Sequence, residues 1–216
     1  MKIQLALDLL DEQQALHVTR QAGRFCDIIE VGTSLLKLSG IGIVSKIRAI
    51  CPEQEIFVDM KTIDGPEREA TLMRACRPDY YSMLACATDK AVKKVLDVAR
   101  LTSSKVVFDL QSLDNPVERC LRLHELGVTH ICIHKNSDCG EDLMAGLKDY
   151  LPIRSKTPLS IFVAGGIGLE SLSELQGILQ PTGVIIGGAI LNAADVGEAA
   201  KQFRQKVDSI GGKKHG

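Results

Sequence analysis

The sequence has no tryptophan, and aromatic residues make up only 4% of it, yet 45% of its 216 residues are hydrophobic. That content suffices for one large domain with a sizeable core, or for two small ones. It also lacks an excess of charge of either sign. Its 26 basic residues meet 27 acidic ones, for a formal net charge of -1. Without a single-sign field, nucleic acid and anionic membrane surfaces are not expected partners. No apolar run approaches the roughly 20 residues of a membrane span. The stretch from Met1 to Asp8 reads as a strand carrying a charge; a signal peptide would need a basic start and a longer apolar core. No C-x-x-C occurs among Cys26, Cys51, Cys76, Cys86, Cys120, Cys132 and Cys139, so neither a zinc site nor a redox pair is expected. Most of these residues sit in apolar stretches and read as buried thiols in a reducing cytoplasm. Cys139 is the exception, because it lies beside a candidate site. No base stands at a recognisable spacing from it, so a catalytic cysteine is not expected.

What is present is an alternation. The apolar runs Ile3–Leu7, Ile28–Val31, Ile56–Val58, Tyr80–Leu84, Val106–Leu110, His130–Ile133, Leu159–Val163 and Val184–Ile186 read as strands. Helical spacing appears between them at Glu12–Ala22, Lys90–Leu101, Pro116–Leu126 and Leu169–Leu179, and again at Ala193–Val207. Asp114-Asn115 ahead of Pro116 suits a helix N-cap followed by proline in the first turn. Strands alternating with helices argue for a parallel sheet, and strands apolar throughout argue for cover on both faces. Eight such units make a single (β/α)₈ TIM barrel. The rival is a doubly wound open sheet, which usually has fewer strands and a glycine-rich first turn. The first turn here, Asp8-Leu9-Leu10-Asp11, has no glycine. We therefore expect one barrel domain over residues 1–210 and a flexible C-terminal tail over 211–216.

A barrel builds its active site from the C-terminal ends of its strands. The strand ends here carry Asp8, Glu30, Asp59 with Lys61, Asp109 and His134, and the last two strands end in Ala164-Gly165-Gly166 and Gly187-Gly188-Ala189. Any one of these residues alone could be structural, and a lone histidine after a strand usually is. Their agreement with strand end after strand end is what points to a site. Within the third run, Asp59 and Lys61 lie two apart and so point to one side, while Asp64 falls just past the strand. Such an acid–base–acid cluster at a buried strand end costs desolvation energy unless its charges pair or bind something.

Glu30 and Asp59 end neighbouring strands, which lie roughly 5 Å apart. The two carboxylates could share a hard, oxygen-liking cation, for which Mg²⁺ is the best fit. Alternatively, Lys61 alone neutralises them. The glycine pairs let backbone N–H groups approach an anion, and their place on strands seven and eight matches the usual phosphate site of barrels. Glycines that merely end strands would look similar.

These residues resemble a known family. Asp59-x-Lys61-x-x-Asp64 is similar to the D-x-K-x-x-D signature of the orotidine-monophosphate decarboxylase superfamily. Gln4-Leu-Ala-Leu-Asp8, Asp27-Ile-Ile-Glu-Val-Gly-Thr33, Val163-Ala-Gly-Gly-Ile167 and Ile186-Gly-Gly-Ala-Ile190 resemble the branch that holds 3-hexulose-6-phosphate synthase and 3-keto-L-gulonate-6-phosphate decarboxylase. The resemblance runs from Met1 to about Val207 and implies a set of roles. Glu30 and Asp59 would bind Mg²⁺, which stabilises an enediolate of a sugar phosphate. Asp8, Lys61 and Asp109 would contact the substrate's hydroxyls, and His134 would handle protons. The backbone around Ala164, Gly165, Gly166, Gly187 and Gly188 would receive the phosphate. Asp64 would reach across a homodimer interface into the partner's site. Physically, a fixed cation and a lysine beside a developing oxyanion lower its energy.

Three positions favour the synthase over the decarboxylase. Ser137 stands where the decarboxylase carries a second arginine, Asp109 where it has glutamate, and Gly188 where it has a phosphate-holding arginine. Met60, Pro66, Lys135 and the Asp109-Leu110-Gln111 run fit neither member well. The expected activity is Mg²⁺-dependent condensation of formaldehyde with D-ribulose 5-phosphate to D-arabino-hex-3-ulose 6-phosphate, in the cytoplasm. Decarboxylation of 3-keto-L-gulonate 6-phosphate through the same enediolate is the alternative.

Overall fold

The structure is a computed structural model, and it describes residues 1–136 and 139–211. Ser137 and residues 212–216 of the expected tail therefore lie outside the described residues. The strands are β1 (Lys2–Leu7), β2 (Ile28–Val31), β3 (Glu55–Thr62), β4 (Tyr80–Leu84), β5 (Lys105–Asp109), β6 (His130–His134), β7 (Ser160–Ala164) and β8 (Gly183–Ile186). All pair in parallel with their sequence neighbours, and β8 closes on β1, giving the closed eight-stranded barrel expected.

The surrounding helices are α1 (Glu12–Ala22), α2 (Thr33–Ser39), α3 (Gly42–Ile50), α4 (Pro66–Cys76), α5 (Asp89–Thr102), α6 (Pro116–Glu125), α7 (Leu151–Lys156), α8 (Leu172–Ile178), α9 (Gly188–Leu191) and α10 (Val196–Gly211). Asp11 caps α1 by accepting the Gln14 N–H at 3.0 Å. Three corrections to the expected helices follow from local chemistry. α8 starts later than Leu169, because the Ser171 hydroxyl donates back to the Gly168 carbonyl at 2.9 Å and holds a turn there. α10 starts later than Ala193, at the point where Asp195 accepts the Glu198 N–H at 2.9 Å, and it runs on to Gly211, into the expected tail. Asn115 does precede α6, but its side chain makes no capping hydrogen bond.

The main core lies between barrel and helices. A smaller cluster of Ile28, Phe57, Tyr80, Val107, Cys132, Phe162 and Ala164 fills the barrel itself. Strand alternation then places the site, because the residue two positions on from an inward apolar one also points inward. Ile28 leads to Glu30, Phe57 to Asp59, Tyr80 to Ser82, Val107 to Asp109 and Cys132 to His134. The apolar plug thus forms the floor beneath a layer of polar groups at the C-terminal end.

Strand β3 departs from regularity at that layer. Val58 pairs with Tyr81 but Thr62 with Met83, so β3 carries extra residues over the span in which β4 advances from Tyr81 to Met83. Lys61 takes up the slip in a left-handed conformation, φ 46°. That costs a residue with a Cβ on the order of 1 kcal/mol.

Candidate active site

The polar layer opens into a cavity of about 700 Å³ at the C-terminal end of the barrel. Asp8, Glu30, Asp59, Lys61, Asp109, His134, Ala164, Gly165, Gly166, Gly187 and Gly188 all line it. Of the residues the sequence marked, Asp64 does not. It is exposed in the turn after β3, where its Oδ1 accepts the Gly65 N–H at 2.8 Å. Cys139 is exposed and does not line this cavity, whereas Cys132 forms part of its floor. Burial, with Asp109 nearby, pushes the Cys132 thiol well up and keeps it neutral. The described cysteines are all free; Cys86, expected to be buried, is exposed in the turn after β4.

The charged residues form a connected row. Lys61 Nζ donates to Asp59 Oδ2 at 2.7 Å and to Asp109 Oδ2 at 3.2 Å. His134 Nδ1 lies 2.8 Å from that same Asp109 oxygen. An ionised carboxylate only accepts, so Nδ1 carries the proton, and a neutral ring keeps its lone pair on Nε2. Asp109 Oδ1 accepts the Gln111 N–H at 2.8 Å. Burial opposes the charge of Asp109, but His134 and Lys61 more than offset it and hold the carboxyl below its usual range. Burial likewise opposes the charge of Lys61, and Asp59 and Asp109 hold it above its usual range. The lysine is therefore a fixed cation and not a proton donor at neutral pH.

Glu30 is in a different position. It is buried, faces Asp59 and Asp8, and accepts a hydrogen bond from Gln4 Nε2 at 2.7 Å. Burial first, then the Asp59 and Asp8 charges, raise its pKa well above the usual carboxylate range. Among the described residues lining the cavity, Asp8, Glu30, Asp59 and Asp109 face a single ammonium, that of Lys61. Glu30 and Asp59 face each other at the ends of β2 and β3, and of these two Asp59 is the one that Lys61 bonds. No group of three or more His, Cys, Asp or Glu side chains among the described residues is placed to hold a metal ion. A cation on this pair would take its remaining ligands from water and substrate oxygens, which is the habit of Mg²⁺.

Sequence reasoning missed the neutral polar residues around the acids. Thr33 Oγ1 lies 2.8 Å from Asp59 Oδ2, and Ser82 Oγ donates to Asp59 Oδ1 at 2.6 Å. Gln4 has no exposed surface; it was noted only as part of a motif and given no role. A hydrophilic residue inside a short apolar run was the signal for both Gln4 and Ser82. Two glycines are required by close approach. A Cβ on Gly165 would stand 2.2 Å from the Lys135 carbonyl oxygen, and Gly165 has φ 112°. A Cβ on Gly32 would meet Asp8 Oδ1, also at 2.2 Å.

Residues 1–203 match the Orotidine 5'-phosphate decarboxylase / HUMPS family. The chain belongs to that family. A 3-hexulose-6-phosphate synthase of Mycobacterium gastri is 30% identical over 207 residues, covering 96% of this chain and all of that protein. The crystal structure of 3-hexulose-6-phosphate synthase from Salmonella typhimurium superposes with a TM-score of 0.90 at 30% identity, over 97% of this chain and 100% of that one. The 3-keto-L-gulonate-6-phosphate decarboxylase of Vibrio cholerae shares the fold, with a TM-score of 0.80 at 23% identity over 97% and 98% of the two chains. This protein is thus an enzyme of the family its strand ends suggested, and its relatives at 30% identity carry the synthase's name. Among the described residues, no helix is long and apolar enough to cross a membrane.

Proposed function

We propose that the protein condenses formaldehyde with D-ribulose 5-phosphate, forming D-arabino-hex-3-ulose 6-phosphate. The observation that carries this reading is the row Asp59–Lys61–Asp109–His134 with Glu30 beside it. Asp109 fixes the histidine tautomer so that Nε2 faces the cavity and takes the C1 proton of the ketose phosphate. The electron pair left behind becomes a 1,2-enediolate. Lys61, held charged by its two carboxylates, stands beside the developing oxyanion. C1 then attacks the formaldehyde carbon, the C2 ketone is restored as the new carbon–carbon bond forms, and the oxygen that came from formaldehyde takes up the proton that His134 removed. Asp8 orients substrate hydroxyls, and the backbone from Ala164 to Gly166 and at Gly187 and Gly188 receives the phosphate. Glu30 and Asp59 would hold a Mg²⁺ ion, which would supply a second fixed positive charge beside the developing oxyanion. The excess of carboxylates over lysine supports that assignment.

Asp64 serves a second copy of the chain. It stands outside its own cavity, beside Ile63, an apolar residue 50% exposed. Mixing inactive Asp59→Ala and Asp64→Ala proteins should restore activity through hybrid dimers. Failure of mixed proteins to recover any activity, after subunit exchange is verified, would remove Asp64 from the shared site.

The test of the reaction is formaldehyde consumption with ribulose 5-phosphate and Mg²⁺. Loss in the wild type and none in Asp59→Ala is expected. Equal rates in the two would overturn the reading. Carbon dioxide release from 3-keto-L-gulonate 6-phosphate, with no formaldehyde consumed, would select the decarboxylase instead.

A further inference from the structure

We propose that Ser82 is a positioning residue that sets the Asp59–Lys61 geometry from the neighbouring strand. Of the strands β1 to β5, β4 is the one whose inward residues carry no charge, and sequence reasoning passed over it. Ser82 is the inward residue of β4 at the level of the site, and it is 2% exposed. Its hydroxyl proton goes to Asp59 Oδ1 at 2.6 Å, and its oxygen accepts the backbone N–H of Lys61 at 2.8 Å.

The second bond matters because of the register slip. Between the Val58–Tyr81 and Thr62–Met83 pairs, β3 carries more residues than β4 and the regular ladder is interrupted. A buried N–H that loses its ladder partner needs another acceptor. The Ser82 side chain takes that place, directly at the residue held in the left-handed conformation. One hydroxyl thereby ties together one oxygen of a carboxylate and the backbone of the lysine that bonds its other oxygen. Thr33 holds Asp59 from the β2 side. Asp59 is thus held by hydroxyls from both sides, one on each carboxylate oxygen. Ser82 acts through Asp59 and Lys61, and it is assigned no contact with substrate.

The catalytic part of this inference rests on the function proposed above, and the other readouts do not. Ser82→Ala should lower kcat by about 10- to 100-fold while KM for ribulose 5-phosphate moves by less than about 3-fold. It should weaken Mn²⁺ binding, titrated by electron paramagnetic resonance without substrate, by about 10-fold. It should also speed hydrogen exchange at the Lys61 amide. Ser82→Thr keeps the hydroxyl and should restore all three. If Ser82→Ala does not fold, Ser82→Cys, with its weak donor and acceptor, carries the same expectations. Unchanged Mn²⁺ affinity and Lys61 exchange in the Ala or Cys variant would overturn the proposal, as would losses that Thr does not reverse. If the wild type consumes no formaldehyde, the proposed reaction fails, while the Mn²⁺ titration and amide exchange still decide the role of Ser82.

Discussion

At the N-terminal end of the barrel, Lys2, Glu55, Lys105 and His130 gather around the ring of Tyr80. At the C-terminal end, Asp8, Glu30, Asp59, Lys61, Asp109 and His134 gather around a cavity. The two groups share inward-facing columns: Glu55-Phe57-Asp59, Lys105-Val107-Asp109 and His130-Cys132-His134 each run polar, apolar, polar. The lower group is mutually satisfied. Lys2 pairs with Glu55, the Tyr80 hydroxyl donates to Glu55 at 3.2 Å, and Lys105 donates to that hydroxyl at 3.3 Å. The two ammonium groups lie 5.9 and 5.0 Å from the Tyr80 ring centroid, and His130 meets that ring edge-on at 5.9 Å. The upper group is left with more carboxylates than its lysine can neutralise, beside a strained backbone. The same kind of residue stabilises the fold at one end of a column and waits for a ligand at the other. A surplus of carboxylates, which the lower group with its two lysines and one glutamate lacks, separates the two roles.

The contrast can be broken most severely at Lys61 and Asp59. Lys61→Ala or Asp59→Ala should reduce formaldehyde consumption by about 10²- to 10³-fold, with thermal unfolding little changed. A variant that lost stability in proportion to activity would place these residues with the lower group.

Glu30→Gln sharpens the comparison from the stability side. The folded-state pKa of Glu30 is raised, so its contribution to stability is full below the ordinary carboxylate range and is lost as pH rises through the raised value. At neutral pH and in EDTA, the glutamine variant should therefore melt higher than the wild type. Mg²⁺ should raise the melting temperature of the wild type and leave that of the variant unmoved. A wild type indifferent to Mg²⁺ in this experiment would remove the cation from the proposal.

The lower group predicts the opposite pH response. Burial first, then Lys105 and Lys2, push His130 down to about 4. A depressed histidine is neutral when folded, while the unfolded chain takes up a proton near 6.5. Stability is therefore present above about pH 6.5 and falls as pH drops toward 4, by on the order of 1–2 kcal/mol once solvent screening is allowed for. Urea unfolding between pH 4 and 7 should show this slope, and His130→Phe should flatten it without changing kcat at neutral pH.

The smallest effect is expected on the outward face of β4. Tyr81 is buried there, and its hydroxyl has no hydrogen-bond partner among the described residues. Tyr81→Phe should gain about 0.5–1 kcal/mol in urea unfolding, because an unsatisfied polar group is removed. Activity should be untouched, in contrast to changes at the adjacent Ser82.

The barrel was legible because its strands are apolar on both faces and their ends break into charge or glycine. Helices α2 and α3 were not legible as helical stretches, since Gly40 at φ 66° divides a short span into two pieces. α4 was missed behind a run of charged residues. In the site, Asp8, Glu30, Asp59, Lys61, Asp109 and His134 stood out because each charge follows an apolar run. Gln4 and Ser82 did not, since a neutral polar residue in a strand such as Tyr80-Tyr81-Ser82-Met83-Leu84 looks like ordinary alternation. Nor could the pattern show the register slip in β3, which arises only when β3 is laid against β4.

The left-handed backbone at Lys61 also bears on how this protein would respond to directed evolution. Glycine or asparagine would sit there with less strain, so a screen rewarding heat resistance alone should favour them, at the expense of the ammonium group. Libraries selected for longevity in a bioreactor should therefore hold position 61 constant and seek their gains elsewhere. Lineages that drift there would keep the barrel and lose turnover, and could be recognised by that one codon before any assay was run.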